Sequence, residues 1–175
     1  MNLKRYIRSI KNFPKQGIIF RDITTLIENP KSFEYSINKM IEKSSNYKFD
    51  KIAAIEARGF LFASILANKM NKPLVLIRKK GKLPHKTVSK SFKLEYGSDT
   101  IEIHKSSIKK KDKILLIDDL IATGGTVNAG VSLLEMVGAK VVLCGFIIDL
   151  PELGGSKKLS LKKIDNFSLV SYKGL

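Results

Sequence analysis

Tryptophan is absent from this chain of 175 residues, and cysteine occurs once, at position 144. A single thiol excludes a disulfide framework within one chain. Its surroundings, Val141-Val-Leu-Cys-Gly-Phe-Ile-Ile148, read as a buried strand, so a reducing, cytoplasmic setting is the expectation. No apolar run approaches the roughly 18 residues that a membrane span needs, and no membrane partner is expected. Met1–Ile10 is amphipathic and lacks the continuous apolar core of a secretory leader. Arginine is scarce too, standing only at positions 5, 8, 21, 58 and 78, and the 16 acidic residues face 32 basic ones.

The resulting net charge of +16 raises the question of nucleic acid. The lysines that carry it are spread over the whole chain, without the interleaved aromatics or arginine forks of a dedicated nucleic-acid face. A lysine-rich composition laid over a protein for anionic small molecules is the preferred reading, and nucleic acid is not the expected partner. Arg21, Arg58 and Arg78 all fall in motif-like stretches, where a planar donor fork has no lysine substitute.

A hydrophobic content of 43% over this length is enough for one core, and the expectation is a single domain over residues 1–175. Leu3, Ile7 and Ile10 recur at helical spacing and predict a short N-terminal helix. Asn29-Pro30 reads as an N-cap and first-turn proline, followed by an apolar face of Phe33, Ile37, Met40 and Ile41. Ile52–Ile55, Phe60–Met70 and Leu74–Ile77 predict a strand, a helix and a strand. The basic stretch Lys79–Ser91 has no usable period, and Phe92–Tyr96 with Thr100–His104 predicts a hairpin around Gly97-Ser98-Asp99. Strand Ile114–Ile117, helix Val127–Val137 and strand Val141–Ile148 form a second unit of the same kind. This alternation predicts an α/β fold with a doubly wound, mostly parallel central sheet and flanking helices, its ligand at the carboxyl ends of the strands.

Ile114-Leu-Leu-Ile-Asp-Asp-Leu-Ile-Ala-Thr-Gly-Gly-Thr126 carries the chemistry. A continuous apolar strand runs into two adjacent carboxylates, and a turn of small residues then opens onto a helix. Backbone N–H groups and the helix dipole make Ala122, Thr123, Gly124, Gly125 and Thr126 an anion site. Asp118 and Asp119 would repel a phosphate, so they suit hydroxyls on another part of the same ligand. A sugar 5-phosphate meets both requirements. Neither the Gly-Lys-Ser/Thr of a Walker loop nor the dinucleotide fingerprint is present. A second turn, Glu56-Ala-Arg-Gly-Phe60, ends a strand on the same sheet edge, where a glycine beside an arginine suits close approach to a polyanion. His85 and His104 have no partner at metal or triad spacing.

These stretches resemble the type I phosphoribosyltransferases. Asp118–Thr126 is similar to that family's motif for 5-phosphoribosyl pyrophosphate (PRPP), and Glu56–Phe60 to its pyrophosphate loop, which often carries a cis peptide, here by position Glu56–Ala57. Phe13-Pro-Lys-Gln-Gly-Ile-Ile-Phe-Arg-Asp-Ile-Thr24 resembles the N-terminal signature of the adenine phosphoribosyltransferases. The resemblance runs from Phe13 to about Tyr172, with all three motifs in family order. Ala63 stands where the family commonly has glycine.

The resemblance implies a hood over roughly 1–30 plus 149–175 and a flexible β-hairpin lid over roughly 79–104. It implies that the Phe20 ring stacks on adenine, that the Ile19 backbone reads the base edge, that Arg21 and Arg58 approach the base, and that Leu150 covers the opposite face. Glu56, Ala57, Arg58, Gly59, Arg78, Lys79 and Lys82 would meet pyrophosphate. Asp118, Asp119 and 122–126 would hold the ribose 5-phosphate. Either Glu95 or Asp119 would manage the purine proton. The activity so implied converts adenine and PRPP into AMP and pyrophosphate in purine salvage. It requires Mg²⁺ held mainly by substrate and water with no direct protein ligand, and the protein would be a cytoplasmic homodimer. Two alternatives stay open: a transferase for hypoxanthine, guanine or xanthine, and a non-catalytic PRPP sensor that binds nucleic acid.

Overall fold

The computed structural model describes residues 1–93 and 97–173. Its centre is a sheet of seven strands. The strands are β3 (Lys51–Ile55), β4 (Leu74–Lys79), β5 (Thr87–Lys93), β6 (Ser98–His104), β7 (Lys113–Ile121), β8 (Lys140–Asp149) and β9 (Asp165–Ser171), in the order β5-β6-β4-β3-β7-β8-β9. From β4 to β9 the neighbours run parallel, and β6 and β5 extend the sheet antiparallel. The expected doubly wound fold is therefore present. A separate two-stranded sheet pairs β1 (Arg8–Lys11) with β2 (Ile19–Asp22), antiparallel.

Apolar residues on both faces of the parallel strands explain the continuous runs in the sequence. Ala53, Ile55, Ile114 and Leu116 face one core, closed by helix α4 (Gly125–Met136). Ile52, Ala54, Leu115 and Ile117 face the other, closed by α1 (Thr24–Glu28), α2 (Pro30–Ser44) and α3 (Arg58–Lys69). Asn29 caps α2 as expected, its Oδ1 accepting from the Ser32 N–H at 3.0 Å with Pro30 in the first turn. Cys144 is buried, and burial pushes its thiol up to about 12, so it is an inert core residue.

Several boundaries differ from expectation. Leu3, Ile7 and Ile10 do not share a helix: only Leu3–Tyr6 turns, as a 3-10 segment, and Ile10 pairs with Phe20 across β1 and β2. The stretch Lys79–Ser91 contains the start of a strand, β5, and the hairpin strands are Thr87–Lys93 and Ser98–His104. Ile101 and Ile103 of β6 are fully buried, anchoring the base of that hairpin in the first core. Strand β7 continues through both aspartates to Ile121. Within 149–175, Pro151–Leu153 forms a 3-10 turn, Gly155–Leu161 forms α5, and β9 joins the edge of the central sheet.

Candidate active site

The strand order reverses between β3 and β7, and a cavity of about 250 Å³ opens at the carboxyl ends of these two strands. Residues 55–58, 118–120 and 122–127 line it. Both sequence motifs thus meet in one concavity. Asp118 and Asp119 are 9% and 4% exposed, and the Asp118 Oδ1 accepts from the Asp119 N–H at 2.9 Å. Burial, reinforced by the charge of Asp119, pushes the Asp118 carboxyl well above the usual range. Burial also raises Asp119, but Arg58 opposes it with Nε 3.0 Å from Oδ2. Two adjacent buried carboxylates whose one ion-pair partner among the described residues is Arg58, on Asp119, carry a standing desolvation cost, the signature of a ligand-binding position.

The loop that follows presents the opposite polarity. Gly124 is left-handed at φ +81° and begins α4 without a side-chain cap. Its carbonyls are all committed elsewhere. Ala122 O accepts from the Gly155 N–H (2.9 Å), Thr123 O from Lys158 Nζ (2.9 Å), and Gly124 O from the Asn128 N–H and Nδ2 (2.9 and 2.7 Å). With the carbonyls pinned away, the first-turn N–H groups of α4 are left for an anion. Gly155 and Lys158 brace this loop from behind, and sequence reasoning missed both. Their contacts lie more than 30 residues away along the chain, beyond the reach of any local motif.

At the end of β3 the Glu56–Ala57 peptide is cis, at the position expected from the family resemblance. Gly59 packs so closely that a Cβ there would lie 3.0 Å from Ile117 O and 3.1 Å from Asp118 Cα, so glycine lets α3 start against β7. Glu56 is the hub of the cationic residues. Its Oε1 and Oε2 each accept from the Arg78 guanidinium at 3.2 Å, Oε2 accepts from the Lys79 N–H at 2.9 Å, and Lys82 Nζ lies 3.7 Å from Oε1. Burial works against ionisation of Glu56, but these donors outweigh it and hold the carboxyl below its ordinary value. Lys79 Nζ itself pairs with Asp99 at 3.2 Å. Glu102, another residue the sequence did not flag, is buried and accepts from the Lys82 and Leu83 N–H groups, fixing the loop between β4 and β5.

Of the other expected site residues, Gly59, Arg78, Lys79 and Lys82 lie beyond the cavity lining, as do Ile19, Phe20, Arg21 and Leu150. Arg58 connects the two groups: while paired with Asp119, its guanidinium carbon sits 5.3 Å from the Phe20 ring centroid. Phe13 meets Phe20 edge-on at 5.1 Å. Ile19 pairs with Lys11 in the small sheet, the Arg21 side chain is buried against Ser9 and Tyr172, and the Leu150 N–H donates to Ile121 O at 3.0 Å. Glu95 lies outside the described residues.

A doubly wound sheet whose switch point joins an anion loop to a buried carboxylate pair defines a protein for phosphorylated sugars, with a second polyanion turn alongside. Residues 24–171 match the phosphoribosyl transferase domain, and the chain belongs to that family. The adenine phosphoribosyltransferase of Pelagibacter ubique is 55% identical over 174 residues, 99% of each chain. The crystal structure of adenine phosphoribosyltransferase from Thermoanaerobacter pseudethanolicus superposes with a TM-score of 0.93 at 44% identity, covering 97% of this chain and 98% of that one. The enzyme from Saccharomyces cerevisiae, complexed with an imino-altritol bisphosphate and adenine, gives 0.88 at 35% identity over 96% of each chain.

Proposed function

We propose that this protein transfers the 5-phosphoribosyl group of PRPP to adenine, giving AMP and pyrophosphate in purine salvage. The observation that carries the reading is the single cavity shared by the anion loop, the aspartate pair and the Glu56–Arg58 turn. The 55% identity to a full-length adenine phosphoribosyltransferase supports adenine as the acceptor.

In this reading the N–H groups of 122–126 hold the 5-phosphate, while Asp118 and Asp119 accept hydrogen bonds from the ribose hydroxyls and fix C1 over the Glu56–Gly59 turn. Arg58, Arg78, Lys79 and Lys82 take the pyrophosphate, so the Glu56 contacts of Arg78 and Lys82 are the ones that the incoming anion must share. The bond from C1 to pyrophosphate loosens toward an oxocarbenium-like centre, and adenine N9 attacks from the opposite face. Phe20 and Leu150 sandwich the base, the Ile19 backbone reads its edge, Arg58 approaches it, and Arg21 acts from behind Phe20, buried against Ser9 and Tyr172. Glu95, or in its place Asp119, takes the purine proton, and closure of the 79–104 hairpin excludes water.

Magnesium fits this site as an ion delivered with its substrate. Among the described residues no three His, Cys, Asp or Glu side chains cluster to hold a metal, whereas the oxygens of Asp118 and Asp119 suit a hydrated hard cation. Those two residues would hold it through water, and when bound it neutralises charge on the departing pyrophosphate.

Activity is tested by incubating the purified protein with PRPP and each purine in turn. Adenine-dependent release of AMP and pyrophosphate is expected. PRPP binding without turnover, together with salt-sensitive binding of RNA or DNA, would contradict the enzyme reading. Glu95→Gln should lower kcat more than it raises the KM for PRPP, and a change confined to KM would reduce Glu95 to a binding residue.

A cytoplasmic homodimer is part of the proposal. No helix among the described residues is long and apolar enough to cross a membrane. Leu76 is 37% exposed although β4 is an interior strand, and Leu61 on α3 is 41% exposed on the same side of the sheet, a pairing suited to cover by a second copy. Sedimentation should give the mass of two chains, and a monomer at micromolar concentration would refute it.

A further inference from the structure

We infer that Arg21 and Tyr172 form a brace that sets the distance between the two walls of the base slot, Phe20 and Leu150. The inference rests on the reading of that slot given above. Arg21 leaves β2 on the side opposite Phe20 and stacks on Tyr172, so both act as positioning residues.

Strand β2 sends Phe20 and Arg21 in opposite directions, as successive strand residues must go. Arg21 is only 9% exposed, and its guanidinium carbon lies 4.1 Å from the centroid of the Tyr172 ring. Its Nη1 donates to Ser9 Oγ at 2.6 Å, while its buried Nε has no hydrogen-bond partner among the described residues. The stack on the aromatic face and the Ser9 hydrogen bond together compensate for burying this cation, and only a planar guanidinium can lie flat on the ring. Lys4 Nζ, 5.0 Å from the same ring, adds a second, solvent-facing cation.

Tyr172 passes the position on to the other wall. Its N–H donates to Asp149 O at 3.0 Å, fixing the residue before Leu150. The Leu150 N–H then donates to Ile121 O at 3.0 Å, at the end of the strand that carries Asp118 and Asp119. The path from Phe20 to Leu150 thus consists of two peptide links, one cation–ring stack and one backbone hydrogen bond. The small β1–β2 sheet is in this way held to the central sheet beside the slot. The Tyr172 hydroxyl is buried and has no hydrogen-bond partner among the described residues, so the ring, not the hydroxyl, carries the load.

The brace is tested by equilibrium titration of the intact protein with AMP and, separately, with ribose 5-phosphate, the ratio of the two Kd values giving what the base contributes. Tyr172→Leu should weaken AMP by about five- to thirty-fold while leaving ribose 5-phosphate within about two-fold, and Tyr172→Phe should restore the wild-type ratio. Arg21→Lys, which keeps the charge and loses the stack, should follow Tyr172→Leu and serves if that variant does not fold. An unchanged ratio in Tyr172→Leu or Arg21→Lys, equal weakening of both ligands, or a Tyr172→Phe as impaired as Tyr172→Leu overturns the brace. A wild-type protein that prefers IMP to AMP instead overturns the adenine reading, and the brace is then scored by the same ratio on IMP.

Discussion

Replacing Asp118 and Asp119 together by asparagine should lower kcat/KM for PRPP by about 10²–10⁴-fold while the melting temperature holds or rises. Each carboxylate offers a hydrogen bond with a charged acceptor, worth about 1.5–3 kcal/mol, and the loss of two such bonds spans that range. Stability moves the other way because the pair is costly before ligand arrives. Both residues are buried, and among the described residues only Arg58, itself 41% exposed at its side chain, pairs with one of them, Asp119. Removing the charges relieves that repulsion and leaves Arg58 free to hydrate. The pH dependence carries the same message. The Asp118 carboxyl is raised in the folded protein, so the folded state binds more protons than the unfolded one above the ordinary carboxylate pKa of 3.8. The contribution of Asp118 to stability should therefore fall as pH rises from about 4 toward the raised folded value, against the opposite trend of the lowered carboxyls Glu56 and Asp112. It should appear as the difference between wild type and Asp118→Asn. Thermal melts at a series of pH values, with PRPP kinetics, check both arms, and near-normal kcat/KM in the double variant would refute the ribose assignment.

Gly155→Ala should be the most damaging single-methyl change near the site. A Cβ there would lie 2.4 Å from Ala122 O and 2.8 Å from Gly124 N, and both are backbone atoms that cannot swing aside. The Gly155 N–H also donates to Ala122 O, so the added methyl pushes apart the contact that holds the loop. Overpacking of this kind costs about 1–3 kcal/mol, or about 2–12 °C in Tm at this chain length. Because the displaced atoms belong to the anion loop, KM for PRPP should rise about tenfold or more, while KM for adenine changes less. Gly154→Ala provides the contrast. Its Cβ meets nothing within 4 Å, and only the left-handed φ of +76° opposes it, so it should cost stability without moving PRPP affinity. Equal KM values for PRPP in the two variants would show that the loop does not depend on Gly155.

The parts of this protein that were legible in the sequence are those whose meaning is local. Ile114–Ile117 reads as a buried parallel strand because both its faces are covered, and the glycines and aspartates that follow state their polarity within nine residues. The Asn29 cap of α2 was legible for the same reason. Edge elements were not. Strand β9 is only half-buried along most of its length, and β5 mixes lysine and serine with its apolar residues, so neither shows a clean period. Leu3, Ile7 and Ile10 showed helical spacing over a segment that a 3-10 turn and a strand divide between them. In the site, the supports at Gly155, Lys158, Glu102 and Tyr172 act through contacts made by the fold, which no spacing rule encodes.

The most direct test of the account offers the protein PRPP, magnesium and an equimolar mixture of adenine, hypoxanthine, guanine and xanthine, and separates the nucleotides formed. AMP should dominate the products, with one pyrophosphate released per nucleotide. IMP, GMP or XMP as the main product, or no nucleotide at all from protein that binds PRPP, would contradict it.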